Sequence, residues 1–405
     1  MAVVIKGSGS IEGSTGLEMG ANGTTEIRGQ VNVAVGSSVA GVSTATNFAP
    51  TVIPNSNRRI NVNGAFTVSQ KNVDAAKTGI NGSSRWIDLI QHYSSSGGTF
   101  TCQRVTDAPT GYKYSAKYTV TTANSSLAAG DEDMFIHRIE GQDLAHLSWG
   151  SSSAKTITLS FWVKSSLTGD FSVTIQGGGG RCYVTAYTIS TADTWTKVTK
   201  TISGETSGTW VITNASGLAI IWDLGAGSTY EISSADTWVS VANDYRKAGT
   251  VRFSGTNAAT WQITGIQFEV GSVDTPFEHR SYADELARCQ RYYQVVVRAS
   301  DYGSGIAPIC NVIGYQTNNV FGVVDLPVTM RSEPTLHAVS STGYWKVFRN
   351  GGSGDFNSVQ LDQCSNSHVE INIYGVSSGT SIDADQPGWA RSNDSSAFIG
   401  LTAEL

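Results

Sequence analysis

Apolar residues recur at every second position through much of this 405-residue chain, and that period constrains its fold class more than any other feature. The alternation runs through KYSAKYTVTT, TITLSFWVKSS, FSVTIQG, YVTAYTIS, WTKVTKTIS, LAIIWDLG, TVRFSG and WQITGIQFEVG, all between about Arg58 and Glu278. A period of two turns one side of each segment toward a core and the other away from it, which describes strands and not helices. Turn residues separate the segments at the spacing of a sandwich, and no long amphipathic helix interrupts them. Two antiparallel sheets packed face to face as a jelly roll are expected over residues 58–280.

The stretch from Thr264 to Tyr293 closes that unit. Its strand sets Ile266, Phe268 and Val270 against Gly265, Gln267 and Glu269, then stops at Gly271 before the Thr275-Pro276 turn. A short helix opens at Ser281 with Asp284 in the capping-box position, and Tyr282, Leu286, Cys289 and Tyr293 fall on one helical face. Residues 281–293 therefore read as a linking helix. Strands resume in QVVVRAS, IAPICNVIGYQ, VFGVVDLPVTM, YWKVFRN, VEINIYGV and AFIGLTAEL, giving a second, smaller β-rich domain over 294–405.

Residues 1–57 are different. They are rich in Gly, Ser, Thr, Val and Ala, and Phe48 is their only aromatic residue, so the segment has no core of its own. Val31, Val33 and Val35 face one way in QVNVAVG, and Gly7, Gly9, Gly13, Gly16, Gly20, Gly23 and Gly29 allow tight turns or close chain approach. Short strands from several copies could share a core here, or the segment could order on docking to a partner. Either reading makes it an attachment and oligomerisation segment. Pro50 to Pro54, followed by Asn55-Ser56-Asn57, reads as a linker.

Composition narrows the function. With 44 Gly, 15% charged residues and ample Trp, Tyr and Phe, the chain suits many short strands and is not a disordered composition. A net charge of −6 and the lack of a basic run argue against nucleic acid as the partner. No apolar stretch approaches a membrane span, and the amino-terminal apolar run is too short for a signal peptide. Cys102, Cys182, Cys289, Cys310 and Cys364 are odd in number and without CxxC spacing, which reads as free thiols in a reducing cytoplasm.

Signals for chemistry are weak. Asp131 and Asp133 in an acid-rich turn are candidate Ca²⁺ ligands, but they lack EF-hand spacing; Asp383-Ala384-Asp385 is weaker still. No other cofactor is expected. Glu140 with Asp143, and Glu269 with Glu278, are the carboxylate pairs that glycoside hydrolysis would need, though Glu269 alternates with apolar positions and is expected to face water or a neighbouring chain. The six histidines show no metal-ligand spacing, and His137 reads as structural. Trp162, Trp195, Trp222 and Trp261 sit in strand patterns and are expected in the core. Trp345, Trp389 and Trp86 have more polar or turn-rich surroundings and are the candidate surface rings for stacking on sugars.

Several blocks together resemble one family. VNGAFTVSQKN, HRIEGQDLAHLSWGSSSAKTITLSFWVKSSLTG, AYTISTADTWTKVTKTISGETSGTW, LAIIWDLGAGSTY and ITGIQFEVGSVDTPFEHRSYADELARCQRYY look like the carbohydrate-binding-like jelly roll of bacteriophage tail-fibre and related virion proteins. LPVTMRSEP and the closing LTAEL look like the β unit that often follows it. The resemblance implies a galactose-binding-like fold, a structural or glycan-binding duty and no catalytic residues to carry over. The expected protein is a non-enzymatic fibre or spike subunit of a phage particle, assembled in the host cytoplasm. Residues 1–57 would hold other virion proteins, the β units would meet a host-surface polysaccharide, and the subunit would be a homotrimer. A capsid-decoration or head-fibre protein is the alternative within that class, and a polysaccharide depolymerase tailspike is the alternative outside it.

Overall fold

The computed structural model describes four short amino-terminal strands and residues 57–405, apart from 178, 233–234, 241–245, 317 and 380–382. The chain divides into two units, Met1–Val52 and Ile53–Leu405. In the first, β1 (Val4–Lys6) pairs antiparallel with β2 (Ser10–Glu12), and β3 (Leu17–Met19) pairs antiparallel with β4 (Thr25–Ile27). The expected alternation at Val31, Val33 and Val35 and the Pro50 to Pro54 linker lie outside the described residues.

The second unit is all-β, as the period-two pattern requires. Its first strands are β5 (Lys77–Ile80), β6 (Ser84–Ile87), β7 (Ile90–Ser94), β8 (Thr99–Val105), β9 (Ser115–Thr122) and β10 (Asp133–Glu140). There follow β11 (Ile157–Ser165), β12 (Gly169–Gly177), β13 (Cys182–Ile189), β14 (Thr196–Ile202) and β15 (Ser216–Asp223). The short β16 (Glu231–Ile232), β17 (Trp238–Val239) and β18 (Arg246–Lys247) lead to the long β19 (Thr260–Val270). One sheet runs β17-β13-β12-β15-β10-β7-β6 and the other β14-β11-β19-β9-β8-β5. The two pack as a jelly-roll-like sandwich. Their facing rows bury Phe100, Tyr118, Phe135, Phe161, Trp222, Trp261 and Phe268, each 0% exposed.

Two departures from the sequence reading concern this unit. TVRFSG, expected as a strand, contains a single 3₁₀ turn at Phe253–Gly255. The outer side of the seven-stranded sheet is not wholly polar: Met134, Ile136, Ala219 and Ile221 form a small apolar cluster on β10 and β15. Parity therefore marks two faces, but both can be covered.

The helix forms as the capping box predicts. It spans Tyr282–Gln290 (α1), and the Ser281 hydroxyl accepts the Asp284 N–H. Cys289 and Leu286 pack inward as expected, but Tyr282 is 62% exposed and Glu285 points inward. Cys289 packs with Val62, Val68, Leu89 and Tyr292, and Glu285 meets Arg59 in a buried ion pair. Glu285 also accepts the Asn63 N–H, so the acid on this face is fully committed to the chain that enters the sandwich.

The C-terminal strands are β20 (Tyr293–Arg298), β21 (Pro308–Gln316), β22 (Asn319–Asp325), β23 (Thr335–Val339) and β24 (Trp345–Arg349). They continue with β25 (Gly352–Cys364), β26 (His368–Gly379), β27 (Pro387–Ser392) and β28 (Phe398–Thr402). Six of them close into a barrel in the order β21-β22-β26-β25-β24-β27, while β20-β28-β23 form a three-stranded sheet. Closure removes the free edges that a short sheet would otherwise expose. The barrel is filled by Val312, Val320, Trp345, Val347, Phe356, Ile371 and Ile373. The last strand is central in its sheet, so the closing apolar segment is tied down from both sides.

Candidate functional site

The outer face of the six-stranded sheet carries a constellation in which half-buried rings and polar groups converge. On β11, Leu159, Phe161 and Val163 point into the core, so Ser160, Trp162 and Lys164 point out. Across the register, Lys164 lies opposite Gln262, and Trp162 lies between Thr264 on β19 and Lys197 on β14. Trp162 and Trp195 are half-buried on this face. The Lys164 ammonium sits 5.1 Å from the centre of the Trp195 ring.

Asp107, from the loop after β8, ties these strands together. Its carboxylate accepts from Lys164, from Gln262 Nε2 at 3.2 Å and from the Trp195 indole N–H at 3.4 Å. Burial pushes the Asp107 carboxyl up, but hydrogen bonds from Lys164 and Gln262 and the Lys164 charge outweigh it and hold the group below its ordinary value. The Asp107 side chain remains 51% exposed, so an oxygen lone pair still faces solvent.

Tyr112, from the same loop, extends the ring row. Its ionisation is pushed up to about 12, mainly by burial, with the neighbouring Trp162 indole acting weakly in the opposite direction. The phenol is therefore neutral throughout the physiological range. Tyr112 can lie flat on the sheet because residue 265 is glycine. Gly265 has φ +63°, and a Cβ there would come within 2.8 Å of the Tyr112 ring. The residue sits in a bulge, since Ser160 pairs with Gln267 but Trp162 pairs with Thr264. Phe277 and His279 close the end of the row, with centroids 5.2 and 5.5 Å from Tyr112.

The far end of the same face is closed by its own chain. Glu269, expected to face water or a neighbour, is 1% exposed and accepts from the Thr275 N–H and hydroxyl at 2.9 and 2.6 Å and from Gln267. Glu278 caps Arg59 N–H and so does not converge with Glu269 on a cleft. Glu140, of the other carboxylate pair, accepts from Arg291 at 2.6 and 2.8 Å and from the Tyr292 hydroxyl at 2.7 Å.

The rings named from sequence are distributed unequally. Trp86 is 1% exposed and donates to the Tyr118 hydroxyl at 2.9 Å, so it is a core residue and no surface ring. Trp345, which donates to the hydroxyl of Ser340, an exposed residue just after β23, is 0% exposed in the barrel core. Its parity with Val347, opposite to Lys346 and Phe348, sends it inward despite the turn-rich text around it. Trp389 is 43% exposed on the barrel wall. Trp222 and Trp261 are in the core as expected, whereas Trp162 and Trp195 are not. The signal for Trp162 was present in the sequence, because it shares the polar parity of Ser160 and Lys164. Asp107 and Tyr112 lie in an aperiodic loop, where parity has nothing to say.

The acid-rich turn does not assemble a cation cradle. Asp131 turns back to accept the Ala128 N–H at 2.7 Å, while Asp133 accepts from Ser94 and Ser96 at 2.6 and 2.8 Å. Among the described residues no group of three His, Cys, Asp or Glu side chains is placed to hold a metal ion. All five cysteines are free; Cys102, Cys182 and Cys289 are buried and the other two half-buried. A cavity of 190 Å³ on the seven-stranded sheet is lined by Arg138, Gln176, Gly177 and Ser216–Ala219, with no acidic side chain. Among the described residues no helix is long and apolar enough to cross a membrane.

The class defined by these observations is an all-β protein in which a jelly-roll-like sandwich with an aromatic outer face precedes a small closed barrel. No family model matches the chain, and no curated protein matches it. Solved structures align with part of it. A family 11 carbohydrate-binding module from Clostridium thermocellum, in complex with a β-1,3-1,4-mixed-linked tetrasaccharide, aligns at 10% identity over 50% of this chain and 98% of the module, with a TM-score of 0.25. A putative sugar binding protein from Bacteroides thetaiotaomicron aligns at 12% identity over 53% of this chain and 100% of its own, with a TM-score of 0.27. The enzymatically active domain of bacteriophage CBA120 tailspike protein 4 aligns at 12% identity over 52% of this chain but 22% of its own, with a TM-score of 0.26. Scores at this level establish neither ancestry nor ligand.

Proposed function

We propose that this protein is a non-catalytic glycan-contact protein and that the Tyr112–Trp162–Trp195 face holds the glycan. The observation that carries the proposal is the convergence of three half-buried rings and the Asp107–Lys164–Gln262 cluster on one sheet face. Sugar C–H groups stack on the electron-rich faces of indole and phenol. Sugar hydroxyls need paired donors and acceptors, which Lys164, Gln262 and Asp107 supply. The face is shallow, which suits an extended chain approached from the side. The separate commitments of Glu269 and Glu278 favour contact over hydrolysis at that pair, because a glycosidase needs two acids facing one scissile bond.

The finer reading is a bacteriophage tail-fibre or spike subunit. It rests on the sequence blocks that resemble such proteins. Residues 1–57 would mount the chain on the particle, and a homotrimer would repeat the glycan face. Repetition matters because linked weak sites raise avidity by roughly 10²–10⁴ without new contacts. Ile313, Tyr315 and Val323, which are 51%, 63% and 62% exposed on the barrel, are the apolar surface that association between copies would cover.

Titrating the full chain with neutral tetrasaccharides and with bacterial surface polysaccharides tests the proposal. Trp162→Ala and Trp195→Ala should each weaken binding about tenfold, as expected for loss of a stacking ring. Binding unchanged in both folded variants overturns the site. Sustained release of new reducing ends moves the assignment to a depolymerase. Light scattering on the full chain and on a chain beginning at Arg58 tests the assembly, and a monomer in both cases removes the trimer.

A further inference from the structure

The barrel wall carries a cation that meets no acceptor among the described residues. On β27, Ala390 and Ser392 point inward, so Trp389 and Arg391 point out; on the neighbouring β24, Lys346 and Phe348 point out. Trp389 and Phe348 are cross-strand partners and stack with centroids 4.5 Å apart and planes 12° from parallel. The Arg391 guanidinium lies over the Phe348 ring at 4.6 Å and beside Trp389 at 5.9 Å. The aromatic pair thus holds the guanidinium plane in a fixed place.

Among the described residues its donors are unused. Lys346, next to Arg391 across the strands, is paired with Asp355 at 3.0 Å, but Arg391 has neither ion pair nor side-chain hydrogen bond among the described residues. Its Nε is buried and without a partner. The buried Nε is out of a ligand's reach, but the terminal Nη1 and Nη2 are not among the buried atoms, and that edge of the planar guanidinium matches a carboxylate in two-point geometry. Beside the fork stands a ring that is 43% exposed. The outward Asn311, opposite Trp389 across β21, adds an amide at the rim.

We propose that Trp389 and Arg391 form a second site, on the barrel, for a carboxylate-bearing sugar such as a uronic acid residue. The sugar ring stacks on Trp389 and its carboxylate takes the Arg391 fork. This extends the glycan-contact reading, from which the choice of a sugar follows, but it uses none of the sandwich residues. The two sites would then differ in what they select: a neutral, hydroxyl-rich chain on the sandwich and an anionic residue on the barrel.

The test is titration of the full chain with trigalacturonate, with its methyl ester, and with a hexaglutamate peptide. The wild type should bind trigalacturonate, and esterification, which keeps the ring and removes the charge, should weaken binding about tenfold. Arg391→Gln and Trp389→Ala should each weaken it about tenfold, while Arg391→Lys, which keeps charge but not the fork, should recover only part of the loss. Trp162→Ala should leave it unchanged. If Arg391→Gln does not fold, the Arg391→Lys and methyl-ester arms decide. Equal binding of the ester, unchanged binding in folded Arg391 variants, or no binding of trigalacturonate at about 10 mM overturns the proposal. Equal binding of hexaglutamate removes the sugar and leaves an anion site, which also overturns it. Failure of neutral glycans on the Trp162 face, with trigalacturonate still bound at Arg391, would instead sink the sandwich site alone.

Discussion

The sandwich and the barrel each present rings on an outer wall, but the polar groups beside those rings are in opposite states. On the sandwich, Asp107 already accepts from Lys164, Gln262 and Trp195. That network is closed and holds its rings without a ligand. On the barrel, Arg391 is stacked over Phe348 and satisfied by no acceptor among the described residues. A closed network is stiff and contributes mainly shape and modest hydrogen bonding to a partner; an open one gains strongly when its missing partner arrives. The contrast teaches that exposure of a ring is a poor guide to a site unless the hydrogen-bond state of its neighbours is read with it.

The largest expected effect separates the barrel's inside from its wall. Trp345→Ala should cost about 3–5 kcal/mol in denaturant unfolding, as for other buried large-to-small changes, whereas Trp389→Ala should cost about 1 kcal/mol for the lost stack. Equal costs would mean that the two tryptophans do not differ in burial as the alternation on β24 and β27 requires.

Acid should weaken the sandwich through its buried imidazoles. His92 is 0% exposed among Phe100 and Tyr118, and burial pushes it down to about 4. His137, also 0% exposed, is pushed down to about 3 by burial and then by the Arg59 charge. A base with a lowered native value binds fewer protons folded than unfolded between the two values. The stability associated with neutral His92 is therefore complete above about pH 6.5 and is lost as pH falls toward about 4. The loss amounts to about 3 kcal/mol for His92 alone. Urea unfolding of the wild type and His92→Phe from pH 7 to 4 should show the variant gaining relative stability across that window. Parallel curves would mean that the imidazole is not held neutral.

A smaller effect should follow at the bulge. Gly265→Ala places a methyl group against the Tyr112 ring at a positive φ, so it should cost about 1–3 kcal/mol and weaken neutral-glycan binding. Trigalacturonate binding at the barrel should be unaffected. The smallest effect is expected for Asp107→Asn. It should lower neutral-glycan affinity severalfold, by about 1 kcal/mol, and barely move the melting temperature, because half the carboxylate is in water. In the wild type, that contribution should persist down to the ordinary carboxylate range and fade only below about pH 4. A loss of binding near pH 6 would point to a different group.

Much of the fold was legible from the chain. The alternation in WQITGIQFEVG and LAIIWDLG appears as β19 and β15, and the Ser281–Asp284 signature opens α1 where the capping box places it. The site was less legible. The turn-rich neighbours Gly343 and Tyr344 point Trp345 to the surface, but its parity with Val347 is the stronger signal and sends it inward. The strand pattern around Trp162 points to the core, although Phe161 and Val163 take the inward positions. Tyr112 and Asp107 carried no signal, because a loop residue gains its role from whatever the loop crosses.

The amino-acid pattern alone marks most of the strands, the end of the sandwich and the side chains that share a face, because the two-residue repeat is a local property of an extended backbone; TVRFSG is the exception. Only the tertiary structure decided which of those faces stay open. The outer side of β10 and β15 is apolar and buried, Glu269 is covered by the turn after its own strand, and the Trp162 row and the Arg391 wall remain accessible. That outcome depends on how loops and closing strands far apart in the chain cross each sheet, and no local pattern of side chains encodes it.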